Sequence, residues 1–456
     1  MSMLRMSGLA TIVDGELRGP DQRFDGVSTD SRTLQRGDLF VALHGPTFDG
    51  HDYLQIASER GAAGALVDRP TQANIATVEV DDTLLGLGRL ARKWRMRCPA
   101  LLIAVTGSNG KTTLKEMIAA ILSRRGQVLA TRGNLNNEIG VPLTLCRLRE
   151  EAFAVIEMGA SHAGDIDYLT GLARPDIAVL NNAGRAHLEG FGSVEGVARA
   201  KAEIINGLGS DGMFVFNADD RFAGLWRELA GTHRQLTFGV MRKADVSSPA
   251  GDYRVVWRQG SFEARFPVMC AQGEAELSLR LAGEHNRMNA LAATASSLAA
   301  GASLQDAATA LATLQPVAGR LCPLAGLNGS RLIDDSYNAN PDSVIAALRV
   351  LAAAPGRRTL VLGDLAELGS DAQSLHAQLG ERATSFGIER LMTVGDLSAH
   401  AGSTFSGEHR HFADHQALAD ALMAGASADD SILVKGSRSA RMEQVVSALQ
   451  AQEAIC

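Results

Sequence analysis

Residues 103–113, Ile-Ala-Val-Thr-Gly-Ser-Asn-Gly-Lys-Thr-Thr, constrain this chain more than any other segment. An apolar, partly β-branched run enters a glycine-bearing loop, and Lys-Thr-Thr then opens a stretch with Leu114, Met117, Ile118, Ile121 and Leu122 on one face. That i, i+3, i+4, i+7, i+8 spacing predicts a helix. A strand feeding a helix through such a loop belongs in a parallel sheet with helices on its faces. Glycines let backbone N–H groups close around phosphate, and the helix N-terminus adds positive potential. Gly107, Ser108, Asn109, Gly110 and Thr113 are therefore candidate phosphate-binding residues, with Lys111 bridging the outer phosphates and the Thr112 hydroxyl on Mg²⁺. The spacing departs from GxxxxGK[ST], because Val105 stands where the first glycine is expected. An ordinary strand-to-helix turn is the competing explanation, and the Lys-Thr pair in this setting argues against it.

Short apolar runs at 100–105, 153–156, 177–180 and 213–216 read as strands buried on both faces of that sheet. Upstream, strands at 38–43 and 64–67 flank a short helix at 52–60. Residues 250–282 alternate like antiparallel strands, and 286–299 form an Ala-rich helix. Further apolar strands at 332–333, 359–362, 391–394 and 432–434 are spaced by helical stretches. The expected fold is α/β with three domains: a small N-terminal α/β domain (1–82), a central P-loop-type, mostly parallel sheet with helices (83–314), and a C-terminal Rossmann-like α/β domain (315–456). The 456 residues agree with that number at roughly 150 per domain.

A net charge of −7 gives no global attraction to nucleic acid or anionic membrane. Cys98, Cys146, Cys270, Cys322 and Cys456 are odd in number and scattered, which argues against a disulfide framework or zinc site and for a reducing compartment. The apolar stretch before Asp14 is only about six residues, too short for a signal peptide. The longest uncharged run, 288–305, carries Asn289 and reads as a buried helix. A cytoplasmic protein, without membrane insertion and acting as a monomer, is expected.

Glu157 ends the run at 153–156, where ligands of parallel sheets bind, and beside a phosphate loop it would coordinate Mg²⁺. His187 follows the next strand, and alone it would read as structural. Lys201 shares an apolar helical stripe with Val194, Val197, Ala198, Ile204 and Ile205. It is either a snorkelling lysine or a partly buried one whose lowered pKa lets the neutral amine react with CO₂. The clusters at 283–289 and 334–341 read by themselves as capping and turn chemistry.

Together these segments resemble the Mur ligase family, the ATP-dependent amide-forming enzymes of peptidoglycan precursor synthesis. The loop 106–113 matches the family's modified phosphate loop, and 131–140 matches its T-x-x-N-x-N-N-x-x-G segment. Gly283, His285 and Asn286 match G-x-H-N, and Gly319-Arg320 matches the G-R before the third domain. The resemblance implies ATP and two Mg²⁺ ions, with Glu157, His187 and a carbamylated Lys201 as metal ligands. It also implies Asn286 on adenine, Arg320 on the phosphates and Asp335 on the ribose. Ser28, Ser31 and Arg32, together with Thr131, Asn134 and Asn137, would bind the other substrate. D-S-Y-N-A-N at 335–340 and K-G-S-R-S at 435–439 point to the member that takes UDP-N-acetylmuramoyl-tripeptide and D-alanyl-D-alanine. A folylpolyglutamate-type sibling with a different amine, and a nucleotide switch that does not ligate, are the alternatives.

Overall fold

The strand Leu101–Thr106 is buried at every residue but the first, and its neighbours show why the run is continuously apolar. Leu102, Ala104, Ala154, Ile156, Ala178 and Leu180 face one core, while Ile103, Val105, Val155, Ile177 and Val179 face another. Both faces of the sheet are covered, so these strands are apolar except at their C-terminal ends, where Thr106 and Glu157 stand. The computed structural model describes residues 2–258 and 260–451. Cys456 lies outside them, and Cys98, Cys146, Cys270 and Cys322 are free thiols.

Leu101–Thr106 lies inside a ten-stranded sheet, between Phe153–Glu157 and Ile177–Leu180, and pairs in parallel with both. Parallel pairing continues through Met213–Asn217 and Arg234–Gly239. The predicted antiparallel strands are Arg254–Arg258, Ser261–Cys270 and Gly273–Leu279 at one margin. One face carries the helices Lys111–Leu122, Glu284–Ala299 and Leu304–Thr313. The other carries Thr83–Arg95 and Asp165–Ala173. Thr83–Arg95 also packs against Met6–Val13 of the five-stranded N-terminal unit, so the two units share a core.

The C-terminal six-stranded sheet runs Cys322–Ala325, Arg331–Asp335, Asp430–Lys435, Arg357–Gly363, Arg390–Val394, Glu408–Phe412. Its first pair is antiparallel and the rest are parallel, so Asp335 and Lys435 end adjacent strands side by side.

Three local expectations are corrected. The uncharged run at 288–305 is not one helix: Glu284–Ala299 stops, Gly301 takes φ +89°, and Leu304–Thr313 starts on a Ser303 capping box. The Lys201 helix ends at Ala202, and Ile204 and Ile205 continue the apolar stripe on a 3₁₀ turn, Glu203–Gly207. The short helix at 52–60 is a 3₁₀ turn, Gly50–Tyr53, followed by Leu54–Glu59.

Candidate active site

The C-terminal ends of Leu101–Thr106, Phe153–Glu157 and Ile177–Leu180 open into a cleft of about 1180 Å³ that residues of the C-terminal unit also line. The glycine loop is braced from behind. Ser108 N–H donates to the Asn182 carbonyl (3.0 Å), Asn109 N–H to Asn182 Oδ1 (2.9 Å), and Asn181 Nδ2 to the Asn109 carbonyl (3.0 Å). Gly110 takes φ +79°, and a Cβ there would sit 2.5 Å from Asn289 Oδ1 and 2.9 Å from Asn181 Nδ2. Only glycine lets the chain turn into the helix this close to the amides. Lys111 Nζ donates to the Gly107 carbonyl (2.8 Å), and burial pushes its pKa down, with Glu157 opposing and Arg320 reinforcing.

Glu157 is held at two points. Its N–H donates to Thr131 Oγ1 (2.9 Å), and Oε1 accepts from Asn136 Nδ2 (2.8 Å). Oε2 is buried and has no hydrogen-bond partner among the described residues. An orphaned carboxylate oxygen lining the same cleft as the Thr112 hydroxyl fits a hard divalent cation. Lys201 is buried and does not line the cleft; its Nζ lies 5.8 Å from the Phe191 ring, with no hydrogen bond or ion pair among the described residues. Burial and then Lys111 push its pKa well below the ordinary lysine value, so a neutral amine is accessible there. His187 Nδ1 meets the Glu367 carboxylate but donates no well-directed hydrogen bond to it.

From the C-terminal unit, Arg320 stacks on Tyr337 (4.1 Å) and its Nη2 reaches Thr112 Oγ1 at 3.5 Å. Asp335 Oδ2 pairs with Lys435 Nζ (2.5 Å), and Oδ1 accepts from Leu321 N–H (3.1 Å). Burial raises the Asp335 pKa and lowers that of Lys435, each opposed by its partner. Asn340 Nδ2 donates to Asn109 Oδ1 (2.7 Å), and Arg185 grips Asp342 through Nε (2.9 Å) and its backbone N–H (2.7 Å). The glycine loop and the C-terminal unit are thus tied together across the cleft.

Three family models match: "Mur ligase family, catalytic domain" over residues 23–95, "Mur ligase middle domain" over 105–297, and "Mur ligase, glutamate ligase domain" over 319–438. The chain is 46% identical to the UDP-N-acetylmuramoyl-tripeptide–D-alanyl-D-alanine ligase of Escherichia coli (strain K12), covering 99% of each chain. The chain belongs to the Mur ligase family. Among solved structures of Mur ligases it is similar to MurF from Acinetobacter baumannii (TM-score 0.91, 36% identity, 98% of each chain). It is also similar to the MurF ligase from Thermotoga maritima in complex with ADP (TM-score 0.82, 30% identity, 93% of this chain and 96% of that one).

In this Mur ligase the cleft gathers Ser108 to Thr113, Asn134, Asn137, Glu157, His187, Asn286, Arg320 and Asp335. Gly107, whose carbonyl accepts from Lys111 Nζ, and the buried Lys201 do not line it, and neither does Thr131. The residue is buried, its hydroxyl accepts from Glu157 N–H and its carbonyl accepts from Lys115 Nζ (2.7 Å), so it positions the strand end rather than facing a ligand. Ser28, Ser31 and Arg32 lie away in the N-terminal unit, where Arg32 is engaged with Asp30 (2.8 Å). Sequence reasoning missed Asn136, Asn181, Asn182 and Asn289. Asn136 sits inside the quoted N-x-N-N segment, and only its contact with Glu157 distinguishes it from Asn134 and Asn137. A second cluster, His44, His51 and Asp68, has metal-like spacing in the N-terminal unit. Arg69 on the neighbouring Asp49 already supplies positive charge there, which makes it a satisfied ionic network.

His285 lines the cleft in this Mur ligase, and burial, then Lys435 and Arg349, lower its pKa from 6.5 to about 4. The unfolded chain takes up a proton near pH 6.5, which the folded ring resists until about pH 4. Its contribution to stability is therefore complete above pH 6.5 and lost as pH falls towards 4. A His285→Gln variant should show a flatter loss of hydrogen-exchange protection in Glu284–Ala299 across that interval. An unchanged slope would exclude His285 as its source.

Proposed function

We propose that this chain is the ATP-dependent ligase that joins D-alanyl-D-alanine to the terminal carboxylate of UDP-N-acetylmuramoyl-tripeptide in peptidoglycan precursor synthesis. The observation that carries the reading is the meeting of Lys111, Glu157, Arg320 and Asp335 in one cleft, in a chain similar along its whole length to a ligase of that name.

A carboxylate resists amine attack and must first be activated. In this reading the γ-phosphoryl group of ATP passes to a carboxylate oxygen, giving an acyl phosphate and ADP. The dipeptide nitrogen then forms a bond to the carbonyl carbon, the C–O bond to phosphorus breaks, and phosphate leaves with that oxygen. The attacking ammonium loses two protons in becoming the amide. Charge gathers on phosphoryl oxygens throughout, so fixed positive groups do most of the work. Lys111 and the braced loop amides contact the phosphates, and Arg320 adds charge from the C-terminal side.

Thr112 and Glu157 would hold one Mg²⁺, and His187 with a carbamylated Lys201 a second. The ions supply positive charge and orientation to the phosphoryl oxygens. Carbamylation needs only the neutral Lys201 amine: its nitrogen bonds to the carbon of CO₂ and one proton is released. The product is an oxygen ligand where a buried ammonium has no partner.

Asn286 would contact adenine and Asp335 the ribose. Residues 1–82 would hold the uridine end through Ser28, Ser31 and Arg32, 83–314 the ATP phosphates, and 315–456 would close over both, excluding water from the acyl phosphate. We place the enzyme in the cytoplasm as a monomer. Among the described residues no helix is long and apolar enough to cross a membrane.

Phosphate release from ATP with UDP-N-acetylmuramoyl-tripeptide should depend on D-alanyl-D-alanine. Release indifferent to the dipeptide would favour a nucleotide switch, and release restored by glutamate instead would favour the folylpolyglutamate-type sibling.

A further inference from the structure

We propose that Glu367 receives the ammonium group of the incoming dipeptide and sets the requirement for a charged amine. The inference rests on the ligase reading above and names a side chain for the second substrate. Glu367 follows the strand Arg357–Gly363 and reaches the cleft from the C-terminal unit. Three carboxylates of that unit line the cleft: Asp335, Asp342 and Glu367. Asp335 is neutralised by Lys435, and Asp342 by Arg185. Glu367 has no such permanent partner. Its side chain is 57% exposed, and its contact is with His187 Nδ1, which donates no well-directed hydrogen bond to it.

The backbone gives a second, independent observation. Glu367 takes φ +60°, a left-handed conformation that residues other than glycine seldom adopt. Such strain persists where the surroundings hold a side chain in one place, and it clusters at ligand sites. Here it places a carboxylate beside His187, next to where the acyl phosphate would form. An ammonium needs oxygen acceptors of opposite charge, and a carboxylate serves best. Ser437, Arg438 and Ser439 line the same cleft; Ser437 Oγ donates to the Asp364 carbonyl (2.6 Å) and Arg438 Nη1 pairs with Glu443 (3.2 Å), which leaves the Ser439 hydroxyl and the other guanidinium N–H groups for the anionic end of the dipeptide. With one end on Glu367 and the other on this loop, the amine nitrogen would lie towards the activated carbonyl.

The rival explanation is that Glu367 merely holds His187 in place. Steady-state kinetics of Glu367→Gln and Glu367→Asp in the full chain separate the two. The Gln variant should raise the KM for D-alanyl-D-alanine about tenfold or more while the KM values for ATP and the UDP-linked tripeptide stay close to wild type, and Asp should restore part of the loss. N-acetyl-D-alanyl-D-alanine, which lacks the charge, should inhibit wild type and the Gln variant equally weakly. An unchanged dipeptide KM, or a change confined to the Mg²⁺ requirement, would overturn the assignment. Wild-type phosphate release that ignores the dipeptide would instead overturn the ligase reading on which it rests.

Discussion

Lys201→Ala should lower the ligation rate by about 10²-fold or more, the scale of removing one preorganised group from a charge-stabilising site. The side chain is buried, without a hydrogen bond or ion pair among the described residues, and its pKa is pushed well below the ordinary value. As an ammonium it would be a buried charge opposed only by the more distant Asp165 and Glu203; as a carbamate it would be an anionic ligand for a cation. Formate or acetate diffusing into the space left by the side chain should restore part of the rate. Bicarbonate depletion should inhibit wild type and leave the variant unaffected. Absence of rescue, with the folded state intact by circular dichroism, would count against the carbamate.

The second large effect is on stability. Lys435→Met leaves Asp335 buried with Leu321 N–H as its hydrogen-bond donor and the more distant Arg320 as its nearest positive charge, and breaking such a pair costs about 3–5 kcal/mol. Lys435→Met with Asp335→Asn removes both charges and should recover most of the loss. The chain has several units, so a single melting midpoint is not a clean reading. Hydrogen exchange in Arg331–Asp335 and Asp430–Lys435 reports on that sheet directly. It should be fast in the single variant and near wild type in the double one. Equal protection in all three proteins would show that the pair contributes little to the fold.

The parts legible in the sequence share one property: they are local. The loop at 106–113 announces itself because glycine, lysine and threonine must stand at fixed offsets from a strand and a helix. Glu157 and Lys201 stand out because a charge interrupts an apolar pattern. Contacts between residues far apart in the chain leave no such trace. Asn109 meets Asn340, and His187 meets Glu367, across separations that no periodicity records. Thr131 shows the opposite difficulty. A motif position says that a residue matters without saying whether it faces the ligand or props the strand that does, and here the hydroxyl turns inward to Glu157. The uncharged run at 288–305 misled for a simpler reason, since composition is blind to the turn at Gly301.

The central claim is that the cleft activates a carboxylate by phosphorylation before an amine attacks it. Tripeptide labelled with ¹⁸O at both oxygens of its terminal carboxylate tests this most directly, with the released phosphate and the ligated product read by mass spectrometry. The account predicts one labelled oxygen in the phosphate and one in the new amide carbonyl for each bond formed. Phosphate free of label, accompanying full formation of the dipeptide adduct, would contradict it.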